Sequence, residues 1–148
     1  MQTFLPYESF VESAKCLDRM RLGKQRVECK QILLALRKGP VTVTEEGIKK
    51  TPWYNHPATR MWRGYESALA LYGRLMCEEW INRGYNDSLR NFFDKRAGKS
   101  VESFPKWLGN DEFHNSHQSN LMRKNSQHYA QFGWSVPNHL PYMWPSNE

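Results

Sequence analysis

Met61, Tyr65, Ala68, Leu69, Tyr72, Leu75, Met76 and Trp80 recur at spacings of three and four, so wound as an α-helix they form one continuous apolar face. Pro57 sits where a first-turn proline is tolerated and Gly84 ends the pattern, which predicts one helix over residues 57–83. At 1.5 Å per residue it would run about 40 Å, long enough to be the spine of a domain. A stripe of that length has to be covered, and the rest of the chain supplies helices to cover it. Ser9 and Glu12 make a capping-box pattern around Phe10, Ala14 and Leu17, predicting a helix near 9–19. Leu22, Cys29, Ile32, Leu33 and Leu36 form a second stripe that stops at Gly39 and Pro40. A short helix is expected after Asn86 and Asp87, and Asn110 caps another that runs to about Lys124. Residues 41–55 carry Gly47 and Pro52 without helical periodicity and read as a loop with room for a short strand.

The expected architecture is therefore all-α: a compact helical bundle, residues 1–148 as a single domain, with a long central helix and an aromatic, Pro-rich C-terminal tail. In that tail Tyr129, Phe132, Trp134, Tyr142 and Trp144 stand among Gly133, Pro137, Pro141 and Pro145, which excludes regular helix. Aromatics at this density are either pinned onto the core or offered as a stacking surface for bases. The three cysteines, Cys16, Cys29 and Cys77, are odd in number and lack metal-ligand spacing, so they read as reduced core thiols. No metal and no cofactor are expected. No run of eighteen apolar residues and no signal-like N-terminus occurs, so the expectation is a cytoplasmic protein with no membrane contact and no obligate protein partner. Glycine-rich phosphate loops, dinucleotide fingerprints and serine elbows are missing too.

Net charge is +6, and its placement is informative. From Lys15 to Lys38 eight basic residues face only Asp18 and Glu28, while the remaining chain carries thirteen of each sign. A neutral body with one concentrated basic segment suits a polyanion, because each neutralised phosphate releases condensed counterions. A solvated helix face is the plainer alternative. At 100° per residue Glu28 lies about a quarter turn from the centre of the second apolar stripe, with Arg21 about 20° and Lys24 about 40° away around the axis. A carboxylate at such a boundary, flanked by cations, stays ionised yet partly desolvated. It can then stabilise positive charge or take a proton from water, or simply form a surface ion pair. His114 and His117 lie three apart on a predicted helix but lack obvious further metal ligands. With Asn115, Ser116, Gln118 and Asn120 they form a polar set able to bond the chain itself or phosphates. His56, before Pro57, reads as a helix-entry residue.

The run Leu17-Asp18-Arg19 followed by Arg21-Leu22-Gly23-Lys24-Gln25-Arg26-Val27-Glu28, then Asn55-His56-Pro57, Arg83-Gly84-Tyr85 and the segment from Phe113 to Lys124, resembles the pyrimidine-dimer DNA glycosylase family. The likeness is to its small bacterial and phage branch and covers nearly the whole chain outside residues 40–52. It implies a helical domain that binds and bends double-stranded DNA, displaces a nucleotide and breaks the base–sugar bond, with AP lyase activity where an imine forms. The α-amine of the first residue would be the nucleophile and Glu28 the matching glutamate. Because Gln2 is large, Met1 should be retained and supply that amine; were Gln2 exposed instead, its side chain could cyclise onto the amine and leave water as nucleophile. An α-amine suits such chemistry, because with a typical pKa of about 7.7–8.0 roughly a tenth of it is neutral at pH 7, against far below one per cent of a lysine. Candidate DNA contacts are Arg19, Arg21, Lys24, Arg26, Lys30, His56, Arg60, His114, His117, Asn120, Arg123 and Lys124. Two other readings stand beside this one, a DNA-binding protein of the same fold without turnover and an enzyme that cleaves the glycosidic bond of modified nucleotides.

Overall fold

The computed structural model describes residues 1–98 and 100–145. Among them are seven α-helices and one two-stranded sheet: α1 (Phe10–Cys16), α2 (Arg19–Lys38), β1 (Val41–Thr44), β2 (Gly47–Lys50), α3 (Pro57–Trp62), α4 (Glu66–Asn82), α5 (Arg90–Ala97), α6 (Asp111–Lys124) and α7 (Ser126–Tyr129). A short 3-10 turn, Ala130–Phe132, leads into the tail. Caps set several helix starts. The Ser9 hydroxyl accepts from Glu12 N at 3.1 Å and the Asn110 side chain from Phe113 N at 3.3 Å, each satisfying one of the free donors of a first turn.

Two expectations are corrected. The chain is mostly helical but not all-α, because residues 41–50 form an antiparallel hairpin with Val41 opposite Lys50 and Val43 opposite Ile48. Alternating β-branched residues favour the strand, and Gly47, at φ 118°, takes the turn conformation that closes it. The helix over 57–83 is in fact two. Gly64 adopts φ 90°, a left-handed setting unsuited to other residues, and Glu66 turns its carboxylate back to accept from Gly64 N at 3.3 Å. The apolar face survives the break, since Met61, Trp62, Ala68, Leu69, Tyr72 and Met76 are all fully buried, so periodicity alone did not reveal it.

The buried residues form one hydrophobic cluster, with α4 packed between α2 and α5 and the aromatic tail laid against the outside. Tyr129 is fully buried, and Trp134, Tyr142 and Trp144 are partly so. No helix among the described residues is long and apolar enough to cross a membrane.

The feature that matters most for function is the start of the chain. Residues 1–8 precede α1 without regular structure, and residues 2–6 are buried. Buried backbone needs partners, and here helix side chains provide them. Phe4 N donates to Gln25 Oε1 at 2.8 Å, and Leu5 N donates to His117 Nδ1 at 2.8 Å. His114 Nδ1 lies 2.7 Å from Leu5 O, and Gln118 Nε2 donates to Pro6 O at 2.8 Å. Trp62 Nε1 donates to Thr3 Oγ1 at 2.9 Å. The first residues are thereby held between α2, α3 and α6.

Candidate active site

That anchoring brings Met1 and Gln2 to α2. Gln2 N lies 3.4 Å from Glu28 Oε2, and Gln25 Nε2 lies 3.4 Å from the same oxygen. A cavity of about 220 Å³ opens there, bordered by Met1, Gln2, Phe4, Met20, Arg21, Lys24, Gln25, Glu28, Lys124 and Tyr142. A larger groove of about 930 Å³ lies on the far side of Glu28 and includes Arg19, Gly23, Arg26 and Trp80. Met20, Lys24 and Glu28 border both. One carboxylate thus sits amid Arg21, Lys24, Lys124 and the chain's first residue, an arrangement that attracts an anionic ligand while keeping a single negative charge at its centre.

Other predicted residues are placed differently. Arg21 pairs with Asp18 at 3.2 Å, and the Arg19 guanidinium lies 5.0 Å from the centre of the Tyr85 ring. Arg26 is tied down: its guanidinium pairs with Asp87 at 2.8 Å with both side chains largely covered, and stacks 4.7 Å from Trp80. Trp80 in turn lies over Gly23, where a Cβ would come within 3.1 Å of the indole, so this ring needs a residue without a side chain beneath it. Lys30 sits over the Phe92 ring at 5.2 Å. Arg60 is exposed on α3, and Lys124 is exposed at the cavity edge. Arg123 bonds Asn138 O at 2.7 Å and also the Asn120 side chain, binding the tail to α6.

His114, His117 and Asn120 turn inward. Asn120 donates to Ser116 O at 2.7 Å and Leu140 O at 3.1 Å. His114 Nε2 accepts from Gly109 N at 2.9 Å, so its proton resides on Nδ1, facing Leu5 O. Of the two roles the sequence left open to this polar set, the structure shows bonding to the chain itself. Among the described residues no group of three or more metal-binding side chains is assembled. His56 caps α3 by accepting from Ala58 N at 3.0 Å through Nδ1. Partial burial, and then the positive charge of the chain's α-amine, push the His56 imidazole below its usual pKa.

Residues 1–91 match the family described as pyrimidine dimer DNA glycosylase. The chain belongs to that family. No curated protein and no solved structure matches it. The matched part of this pyrimidine-dimer DNA glycosylase family member contains Met1, Gln25 and Glu28 together with the Arg26–Asp87 pair, whereas Lys124, Tyr142 and the histidines of α6 lie beyond it. The family description makes DNA the substrate. The thiols of this glycosylase-family chain are poor nucleophiles: burial pushes Cys16 and Cys77 up to about 12 and Cys29 well above its ordinary value.

Sequence reading passed over Gln25, Tyr72 and Tyr142. Gln25 had a signal, since Leu22, Gln25, Cys29 and Ile32 share one helical face and a lone amide in an apolar stripe must be satisfied by something. Tyr72 had none, being an ordinary aromatic member of a stripe, and Tyr142 had only the general aromatic density of the tail.

The fully buried His117 gives a pH prediction. Burial, and then the neighbouring His114, push its pKa down to about 3 from 6.5. Above 6.5 the folded and unfolded forms are both neutral there; below it the unfolded chain takes up a proton that the folded chain refuses, so stability falls as pH drops toward 3. Denaturant melts should show a loss on the order of 2 kcal/mol from this residue between pH 7 and pH 5. His117→Gln should be weaker at pH 7 but flatter in pH, and equal slopes for the two proteins would refute the assignment.

Proposed function

We propose that this protein is a DNA glycosylase that removes a damaged or modified pyrimidine, a pyrimidine dimer being the first substrate to test, with the α-amine of Met1 as nucleophile and Glu28 as the stabilising carboxylate. The observation that carries this reading is the meeting of the chain's first residues with Glu28 in one cation-rimmed cavity, with Gln2 N 3.4 Å from the carboxylate. In the reaction the amine lone pair forms a bond to the sugar C1′ as the bond to the pyrimidine nitrogen breaks, its electron pair leaving with the base. The attached nitrogen then sheds a proton and the sugar ring opens to an imine, from which strand cleavage can follow. Positive charge builds on the sugar as the bond lengthens, and a fixed carboxylate stabilises that state more than the ground state.

Arg19, Arg21, Lys24 and Lys124 are the proposed phosphate contacts, since they rim the two openings. Arg26, committed to Asp87 and Trp80, shapes the groove wall instead. The test is incubation with duplex DNA carrying a pyrimidine dimer, with and without borohydride. Glycosidic cleavage, read as base freed once the dimer is reversed by light, together with a trapped covalent complex is the expected result. Cleavage so measured without trapping would leave water as nucleophile, and tight binding with neither would make the protein a DNA binder of this fold.

A further inference from the structure

Gln25 is only 1% exposed, yet its amide spans the gap between the start of the chain and Glu28. Phe4 N donates to its Oε1 at 2.8 Å, and the Tyr72 hydroxyl lies 2.7 Å from that oxygen. A backbone N–H can only pair with the oxygen of an amide, so this contact settles which way the side chain is turned. The NH₂ end is left facing Glu28 Oε2. Tyr72 is itself buried, and its one hydroxyl proton is shared between Gln25 Oε1 and Phe4 O, which lies 2.8 Å away, so the phenol bridges the amide oxygen and the backbone of the first residues. Gln25 and Glu28 lie three apart on α2, on the same flank of the helix, which suits a short bridge.

We propose that Gln25 is a positioning residue that sets Glu28 and the N-terminal segment in register with one another. One side chain reads the location of Phe4 and directs a donor onto the carboxylate. A shift of the first residues is then passed to Glu28, whose Oε2 faces both the amide donor and Gln2 N. At 3.4 Å both donors stand at the long end of bonding distance. The role rests on the proposed catalysis, but the coupling itself can be read without turnover.

In protein labelled at its side-chain amides, the Gln25 NH₂ resonances should move with pH through the carboxylate range and cease to do so in Glu28→Gln. The Gln118 amide, which bonds Pro6 O, serves as the unmoved reference. Gln25 resonances that ignore Glu28 would overturn the proposal, whether or not the protein excises bases. A wild-type protein that shows the coupling but releases no base would sink the proposed function and leave the coupling intact. On an active substrate, Gln25→Met should lower kcat about ten- to a hundredfold with KM little changed. Gln118→Met loosens the same segment without touching Glu28 and should leave kcat near that of the wild type. Equal losses of kcat in the two variants would mean that Gln25 only supports the fold.

Discussion

Glu28→Gln should slow base release at least about a hundredfold, roughly 3 kcal/mol in barrier, with DNA affinity unchanged or higher. The substitution keeps the size of the side chain and lets an amide oxygen face Gln2 N and Gln25 Nε2, so the cavity should hold its shape. What goes is the only negative charge among the described residues bordering the small cavity, amid Arg21, Lys24 and Lys124. Its loss removes stabilisation of the sugar's developing positive charge and also one repulsion toward phosphates. A surface ion pair would behave otherwise, with near-normal turnover and a stability change below about 1 kcal/mol. Single-turnover base release and a binding isotherm, measured on the same duplex, separate the two cases. Full activity in Glu28→Gln would remove Glu28 from the mechanism.

The second large effect concerns the first residue. Adding one residue ahead of Met1 should abolish the borohydride-trapped adduct and cut base release by orders of magnitude. Thermal stability should change little, because the closest anchors of the segment lie at Thr3, Phe4, Leu5 and Pro6, beyond the added residue. The extension moves the free amine by a residue's length, and misplacement of about 1 Å already costs up to about a hundredfold in a well-aligned reaction. Peptide mapping of the trapped wild-type complex should place the sugar on the first peptide. Base release at the original rate by the extended protein would make water the nucleophile.

Much of this molecule was legible locally. Ser9, Asn110 and Gly39 act within a few residues, so the ends they set could be read from neighbours alone. The helical angle put Glu28 at the edge of an apolar stripe beside a basic segment but left it open to be a surface ion pair; only the resemblance to the family singled it out. What could not be read depends on contacts distant in sequence. Arg26 looked like its neighbours Arg21 and Lys24 until the fold supplied Asp87, 61 residues away. His114 and His117 resembled a polar surface because nothing nearby in sequence shows that Leu5 will be their partner. The break at Gly64 was hidden because the buried face continues through it, and the strand at residues 41–44 because four residues are too few for a firm alternation.

The threading of the first residues also has a consequence for how the protein comes into being on the ribosome. Gln25 and Trp62 can take up Phe4 and Thr3 early, but Leu5 N pairs with a histidine 112 positions later, so the segment that emerges first lacks its partners at Leu5 and Pro6 until α6 has been translated. Helices α1 to α4 can associate earlier through nearby partners, but the anchoring is completed only with α6, through contacts of the long-range kind that form slowly. A chain terminated before α6 would hold Glu28 and the basic helix beside a first segment fixed on one side alone, so the proposed site would be fully set only once α6 is in place.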